Sequence, residues 1–336
     1  MPGLAPLVAQ EANAAGLTHT NSGFDGRSDV VLLTADRGTR STALKLRTTE
    51  DVFVEVSRVT QSGGDDPRIL AKRVWNPALV QRALSVWAEQ VRPLAASMTF
   101  RVIVRVLKER SFLRTDLRRA LTDVVVADKP RWHHADPAQI EVWMSEYRPD
   151  EFVAGLRLTS TRMRQHDGRQ MERSGALRPT VAAAMVNQAG EPTGTLLDPC
   201  CGSGTILTEA IARGWTVLGR DIDPSAVDVA RANAPAAAVE PGDARMLKLA
   251  DETVAACVSN LPFGRQYIVP DSPTAWLKDV LAESARVTRP GGRVVLLTPE
   301  IPPSAIPDRL RLADQIRIQL LGTKTSVWIL DRRQAS

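Results

Sequence analysis

The spacing of apolar positions changes along the chain and indicates two kinds of architecture. Between residues 195 and 297, short apolar runs alternate with segments whose apolar residues recur at helical spacing. Strands are predicted at 195–197, 217–219, 237–239, 254–259 and 293–297, and helices at 205–213, 224–233 and 275–287. This alternation predicts an α/β fold with a Rossmann-like, doubly wound parallel sheet. Two further segments, 315–321 and 324–330, predict a C-terminal antiparallel hairpin on the sheet edge.

The first half of the chain has no such repeat. Its pattern predicts helices at 3–16, 69–95 and 114–126, and strands at 30–33, 42–59, 100–107, 139–145 and 151–158. A mixture of this kind predicts an α+β domain. Residues 61–67 are predicted to form a loop, and 162–190 a polar connector that passes into a helix at 180–186.

Length and composition limit the class of protein. A chain of 336 residues exceeds the size at which single cores stop growing, about 250–300 residues, and so predicts two domains. No apolar run approaches the roughly 18–20 residues of a membrane span, and the first residues lack a secretory-signal pattern. Cys200, Cys201 and Cys257 form neither a disulfide framework nor a Cys-x-x-Cys pair. We therefore expect a reduced, cytoplasmic location.

The positive charge is concentrated in the first half. Residues 1–170 contain 25 Lys and Arg against 20 Asp and Glu, whereas residues 171–336 contain 18 of each. A basic band of the kind that binds RNA phosphates comprises Arg101, Arg105, Lys108, Arg110, Arg114, Arg118 and Arg119. A solvated helix face would show the same charges, so the band alone leaves both interpretations open.

A glycine turn after the strand at 195–197 is the first candidate site. Asp198 ends that strand, and Gly202 and Gly204 open the next helix, where a backbone without a Cβ can approach a ligand closely. Asp221 ends the following strand, a place where a carboxylate accepts hydrogen bonds from both ribose hydroxyls of a nucleoside. The alternative for each aspartate is a helix cap or a turn, but the position beside a glycine turn favours binding.

Other residues near this turn have competing interpretations. Asp243 follows the third strand and could bind an adenine amine, whereas Asp223, before Pro224, is at least as typical of a helix cap. The third glycine of a dinucleotide fingerprint is missing, which weakens an NAD-dependent oxidoreductase. Cys201 has no histidine nearby in sequence, so packing is favoured over a nucleophilic role. The histidines show no metal-ligand spacing, and no metal is expected.

The second candidate site is the turn that ends the strand at 254–259. Asn260 Oδ1 and the Leu261 carbonyl could accept both N–H bonds of an exocyclic base amine. Pro262 would make the turn rigid, and Phe263 would stack on an extruded base. Asparagine is no general base, so catalysis would depend on positioning. With the glycine turn upstream, this pattern indicates an amine methyltransferase that uses S-adenosylmethionine (SAM).

These residues resemble the class I SAM-dependent RNA methyltransferases that carry an N-terminal THUMP domain. Residues 3–16 resemble the start of the family's ferredoxin-like segment, 100–159 its THUMP segment, and 164–169 with 175–180 its connector. The resemblance implies four parts: a ferredoxin-like segment at 1–90, a THUMP RNA-binding domain at 91–162, a connector at 163–190 and a methyltransferase domain at 191–336.

The resemblance also implies roles for residues. The THUMP half would bind structured RNA, commonly the tRNA acceptor end, and the catalytic half would methylate an exocyclic base amine. The implied target-base residues are Asn260, Leu261, Pro262 and Phe263. The implied SAM-binding residues are Thr180, Asp198, Cys201, Gly202, Ser203, Gly204, Thr205, Asp221, Asp243 and Asn260.

Three positions depart from the family pattern. Cys200 stands where Phe or Met is common, Leu261 replaces a frequent proline and Phe263 replaces a frequent tyrosine. The Asn-Leu-Pro-Phe-Gly form is closer to members that methylate guanine N2 than to those that methylate adenine N6.

The leading hypothesis is a SAM-dependent methyltransferase that acts on guanosine N2 in tRNA. An rRNA guanine, an adenine N6 or a protein glutamine amide are alternative acceptors for the same site. A noncatalytic RNA-binding protein with a decayed site is a different class, and an NAD-dependent oxidoreductase is the most remote.

Overall fold

A computed structural model describes residues 1–61, 66–160, 162–166, 171, 173, 175–262, 272–320 and 322–334. The chain divides into two compact units, Met1–Met163 and Arg164–Ser336. Most of the predicted loop at 61–67, part of the connector and the predicted stacking residue Phe263 lie outside the described residues. None of the helices described combines the length and the apolar character needed to cross a membrane.

The first unit begins with a small two-stranded subdomain. Its elements are α1 (Ala5–Ala14), β1 (Thr18–Phe24), β2 (Asp29–Thr34) and α2 (Arg40–Ala43), with β1 and β2 antiparallel. Ala12, Leu17 and Leu46 form its small core. The Glu11 carboxylate on α1 accepts hydrogen bonds from the backbone N–H groups of residues 47 and 48, both at 2.9 Å.

The rest of the first unit is a sheet with helices packed against it. In chain order the elements are β3 (Phe53–Thr60), α3 (Pro67–Val74), α4 (Pro77–Gln90), β4 (Thr99–Arg105), α5 (Arg114–Asp128), β5 (His133–His134), β6 (Ile140–Arg148) and β7 (Glu151–Arg157). The sheet order is β3-β7-β6-β4-β5. Large apolar side chains such as Trp75, Trp87, Phe100 and Phe152 fill the core between the helices and the sheet. The predicted boundary between residues 90 and 91 falls between α4 and β4, which share this core.

Two predictions for this unit were wrong in detail, and one strand was missed. The strand β1 was not predicted, because its sequence is mostly polar. The first part of the predicted strand 42–59 is α2 followed by irregular chain, whose backbone groups bond to Glu11 instead of a neighbouring strand. The predicted helix 69–95 is two helices, because Pro77 lacks an N–H group and Asn76 caps α4.

A short helix, α6 (Arg162–Gln165), lies where the division into units falls, and the second unit has the predicted α/β alternation. Its elements are α7 (Pro179–Gln188), β8 (Thr195–Asp198), α8 (Thr205–Ala212), β9 (Thr216–Asp221), α9 (Pro224–Asn233), β10 (Ala238–Pro241), β11 (Val254–Asn260), α10 (Pro273–Val287), β12 (Thr288–Thr298), β13 (Leu310–Leu320) and β14 (Thr323–Arg332). The described strands form one sheet in the order β10-β9-β8-β11-β12-β14-β13. Strands β8 to β12 are parallel, and β13 and β14 form the antiparallel edge hairpin. The predicted fold class is confirmed.

The sheet order determines where a ligand can bind. The chain moves outward from β8 to β9 and β10, and then returns to β11 on the other side of β8. Ligands of open α/β sheets bind at such a switch point, beyond the carboxyl ends of the strands. Asp198, Asp221 and Asn260 are the last residues of β8, β9 and β11.

Candidate active site

A pocket of about 290 Å³ lies at the carboxyl ends of β8, β9 and β11. Nine of the predicted site residues line it: Asp198, Cys201, Gly202, Ser203, Thr205, Asp221, Asp243, Asn260 and Pro262. Thr180, Gly204 and Leu261 do not line it. The two sequence motifs therefore border the same cavity.

The two glycines of the turn have different surroundings. Both have positive φ, +53° at Gly202 and +79° at Gly204. A Cβ at Gly202 would point into open space, and Gly202 lines the pocket. A Cβ at Gly204 would lie 3.1 Å from the Ala230 Cα on α9. Gly202 therefore leaves room for a ligand, whereas Gly204 allows α8 to begin close to α9.

Asp198 is a buried carboxyl group in the pocket wall. Its Oδ1 accepts hydrogen bonds from the Ser259 hydroxyl at 2.6 Å and from the Cys200 N–H at 3.1 Å. The pKa of Asp198 is raised to about 7, mainly by burial and to a smaller extent by the nearby Asp221, against the lowering effect of the two hydrogen bonds. A cation in the pocket would favour the ionised form of this carboxyl group.

The other three aspartates near the pocket are held in different ways. Asp221 accepts hydrogen bonds from the Gly202 N–H at 2.8 Å and the Asp223 N–H at 3.0 Å, which joins β9 to the glycine turn. Asp223 caps α9 through the Ser225 N–H. Asp243 is paired with Arg245 at 2.7 Å, and this hydrogen-bonded pair holds the pKa of Asp243 below its usual value.

Asn260 has an unsatisfied acceptor at the pocket. Its Oδ1 is buried and has no hydrogen-bond partner among the described residues. A buried acceptor without a partner is costly, and such atoms in native proteins often await a ligand or water. The Leu261 N–H donates to the Leu297 carbonyl at 3.1 Å and fixes the turn to β12, while the Leu261 side chain is buried.

Neither the three cysteines nor any metal-binding cluster among the described residues adds a reactive group to the site. Burial raises the pKa of the Cys201 thiol, and that of Cys200, well above the usual range. Burial also raises the pKa of Cys257 to about 12. These thiols are therefore poor nucleophiles. Within the described ranges, no group of three or more His, Cys, Asp or Glu side chains could hold a metal ion.

The structure adds lining residues that sequence reasoning did not assign to the pocket. Residues of the connector form one wall: Arg173, Gly175, Ala176 and Leu177. Ile222, Ala244, Arg245 and Trp276 complete other parts, and Trp276 is the only aromatic side chain among the described lining residues. Ile222 could have been found because it follows Asp221 directly; Trp276, on the first turn of α10, has no local signal.

The seven basic residues of the predicted RNA-binding band fall into two groups. Four form ion pairs inside the first unit: Arg101 with Asp136 and Glu141, Arg105 with Asp25, Lys108 with Asp150, and the buried Arg110 with Glu146. The other three, Arg114, Arg118 and Arg119, are exposed on α5 and form no ion pair with any described residue.

Comparison with known proteins supports a methyltransferase. Residues 166–306 match a family model described as "UPF0020: RMKL-like, methyltransferase domain". The U6 snRNA (guanine-N(2))-methyltransferase THUMPD2 of Bos taurus is 35% identical over 138 residues, 38% of this chain and 26% of that protein. The chain therefore matches only about a quarter of that relative's length. The tRNA (guanine(6)-N2)-methyltransferase of Thermus thermophilus is 27% identical over 273 residues, 76% of this chain and 78% of that protein.

The fold of the whole chain also has a solved counterpart. TrmN from Thermus thermophilus superposes with a TM-score of 0.76 over 98% of this chain and 97% of its own, at 24% sequence identity. That similarity shows a shared fold.

Proposed function

We propose that this chain is an RNA methyltransferase that modifies the exocyclic N2 of a guanosine in tRNA, and the match of residues 166–306 to the RMKL-like methyltransferase domain supports this proposal. The methyl donor in this proposal is SAM, and the tests below concern mainly the acceptor. The observation that carries the proposal is the buried Oδ1 of Asn260 at the donor pocket, which has no hydrogen-bond partner in the part of the chain that the structure describes.

The pocket residues fit SAM. Gly202 leaves open space where any other residue would place a Cβ. The carboxylate of Asp221 stands at the end of β9, where ribose hydroxyls can donate to it. Asp198 provides a carboxyl group that a positive ligand would keep ionised. When bound, SAM supplies a methyl group on a positively charged sulfur.

The acceptor side requires a group that holds an amine. The lone pair of a guanine N2 amine is delocalised into the ring, so the amine is a weak nucleophile until its hydrogens are held. In our proposal the Asn260 Oδ1 accepts one N–H and the Leu261 carbonyl the other. Pro262 keeps the turn rigid, and Phe263 is proposed to stack on the base. The amide cannot take up a proton, so its contribution is positioning.

Two further observations support guanosine in RNA. The printed names of the two reported sequence relatives both specify guanine N2 of an RNA, and the relative with the broader match acts on tRNA. Arg114, Arg118 and Arg119 give the first unit an exposed basic face for phosphates. The assignment of residues 91–162 as a THUMP domain belongs to this proposal.

The first test identifies the acceptor. The full chain is incubated with labelled SAM and with bulk tRNA, rRNA or protein extract treated with ribonuclease, and the products are digested to nucleosides or amino acids. We expect label in N2-methylguanosine from tRNA. Label found in N6-methyladenosine, only in rRNA, or in methylglutamine would contradict the proposed acceptor and identify a different one. If no acceptor is labelled and the protein does not bind SAM, a noncatalytic protein is favoured.

The second test is Asn260→Ala. The variant should bind S-adenosylhomocysteine (SAH) as the wild type does, while kcat for tRNA falls by about 100-fold or more because amine positioning is lost. Its thermal stability should not fall, since the substitution removes an unsatisfied buried acceptor. Isothermal titration with SAH and single-turnover methylation measure the two effects. Equal loss of donor affinity and rate would contradict the assigned role.

A further inference from the structure

One wall of the donor pocket comes from chain outside the sheet and its helices. The described connector residues Met171, Arg173 and 175–177 precede α7, and we call them the connector strap. All of them except Met171 line the pocket. The Arg173 carbonyl accepts a hydrogen bond from the Ala176 N–H at 3.1 Å, which is a contact within the strap.

The strap is held by the side chain of Asn233, the last residue of α9. Its Nδ2 donates to the Met171 carbonyl at 3.0 Å, and its Oδ1 accepts from the Met171 N–H at 2.8 Å. The same Nδ2 also donates to the Ser203 carbonyl in the glycine turn, at 2.9 Å. Asn233 is 4% exposed, so these hydrogen bonds are shielded from water. One amide thus ties the connector strap to the glycine turn, and both segments line the pocket.

A second contact holds the strap at the other end of α9. The Arg173 guanidinium pairs with the Asp223 carboxylate and donates to the Ser225 hydroxyl at 3.3 Å. The hydrogen bond from Arg173 lowers the pKa of Asp223 to about 2, so the pair stays charged at neutral pH. The N-terminus and the C-terminus of the same helix therefore both hold the strap.

We propose that Asn233 is a positioning residue for donor binding, and that the Arg173–Asp223 pair assists it by holding the connector strap against the pocket. Capping of α9 does not explain the two hydrogen bonds between Asn233 and Met171. Asp223 already caps the N-terminus, and the Ala234 N–H donates to the Ala230 carbonyl at the C-terminus. The hydrogen bonds of Asn233 instead join two segments that border the donor. Release of the strap would lower the fraction of protein that can bind the donor and weaken its apparent affinity by that fraction.

This inference concerns the donor pocket alone, so it can fail or succeed independently of the RNA acceptor. Its test uses SAH as the probe and needs no methylation. Isothermal titration of the full chain compares Asn233→Ala, Arg173→Ala and Asp223→Asn with the wild type. Asp223→Asn keeps a capping side chain but removes the charge that pairs with Arg173. Asp228→Asn is the matched control, because it removes one exposed acidic partner of Arg231 on the same helix.

We expect Asn233→Ala to weaken SAH binding about tenfold, since two backbone anchors are removed. Arg173→Ala and Asp223→Asn should each weaken it about threefold, as expected for an exposed pair. The double variant Arg173→Ala, Asp223→Asn should bind no more weakly than either single variant, because the two act through one contact. Asp228→Asn should bind as the wild type does.

Hydrogen exchange separates positioning from general stability. Exchange at the Met171 amide should be faster in Asn233→Ala, while amides in the core strand β11 keep wild-type protection. If Asn233→Ala does not fold, the SAH affinities of Arg173→Ala and Asp223→Asn test the same inference. Wild-type SAH affinity in the folded variants would overturn the inference, whether or not the Met171 amide exchanges faster. Equal weakening in Asp228→Asn would overturn it as well.

Discussion

The carboxyl group of Asp198 combines a structural cost with the donor-binding role that we propose for it. It lies at the end of a buried strand, and its hydrogen bonds with Ser259 and Cys200 do not replace the water that a carboxylate has in the unfolded chain. Burial raises its pKa from 3.8 to about 7. The folded protein therefore holds this proton more tightly than the unfolded chain does, and the stability gained from that proton is lost as pH rises through about 7.

Asp198→Asn should stabilise the free protein while weakening donor binding. At about pH 8 the free energy of unfolding should rise by on the order of 3 kcal/mol, since a buried charge is removed and the amide oxygen can still accept from Ser259. The gain should shrink as pH falls to about 4, where the wild-type carboxyl group is already protonated in the folded state. Urea unfolding at a series of pH values measures this difference. A gain that is the same at all pH values would contradict the proposed cause.

Sequence reasoning at the residue scale found the ends of the strands but not the pairing of surface charges. Asp198, Asp221 and Asn260 were predictable because each lies just after a predicted strand. The states of Arg101, Arg105 and Arg110 were not predictable, since their acidic partners lie 35–80 residues away in sequence. Arg110 is the clearest example, because it is buried against Glu146 in spite of its place in a basic run.

At the scale of elements, we expect the two glycines of the turn between β8 and α8 to differ, one in stability and the other in donor binding. Gly204→Ala should lower the free energy of unfolding by about 3 kcal/mol, because left-handed backbone and the contact with Ala230 both become strained. Gly202→Ala should cost only about 1 kcal/mol of stability but weaken SAH binding by about tenfold or more, since its methyl group enters the pocket. Chemical unfolding and isothermal titration measure the two quantities.

Gly214, just after α8, provides the control for this pair. Its φ is +93°, and a Cβ there would meet only the Pro192 Cγ at 3.9 Å. Gly214→Ala should therefore show the backbone cost alone, with SAH affinity unchanged. If Gly202→Ala, Gly204→Ala and Gly214→Ala all showed the same ratio of stability loss to loss of SAH affinity, the two glycines of the turn would not have separate roles in stability and in donor binding.

Elements were predictable where a buried face imposes a period on the sequence. The strands β8 and β11 are buried along most of their length and follow apolar runs, so their prediction needed no tertiary information. The strand β1 is mostly exposed or half-buried and forms by pairing with β2, which leaves no period to find. The sequence likewise could not predict that the connector strap forms a wall of the pocket. Asn233 binds the backbone of Met171, and a backbone contact requires no particular side chain that a sequence pattern could reveal.

At the scale of the whole molecule, the excess positive charge belongs to the first half of the sequence. Ion pairs neutralise part of it within the first unit, and α5 presents Arg114, Arg118 and Arg119 to solvent. Binding to phosphates releases counterions, so the number of phosphates bound can be measured from the salt dependence of binding. We therefore expect the α5 arginines to contribute to RNA affinity and not to donor affinity.

Reversal of these three charges, Arg114→Glu with Arg118→Glu and Arg119→Glu, tests that expectation. The triple variant should bind tRNA more weakly, and the slope of log Kd against log salt concentration should decrease by about 0.7–0.9 for each phosphate that the protein no longer neutralises. SAH affinity should stay at the wild-type value. Filter binding of tRNA at several salt concentrations, with titration of SAH on the same samples, gives both numbers.

The matched control reverses three exposed charges of the second unit: Arg309, Arg317 and Lys324. It makes the same change in net charge, so any general repulsion of RNA would appear in both triple variants. We expect the control to keep most of the wild-type salt slope, because these positions are not part of the α5 face. If the slope fell equally in both variants, the α5 arginines would act only through the overall charge of the protein. If SAH affinity fell in both as well, the cause would be misfolding, since the donor pocket contains none of the six residues.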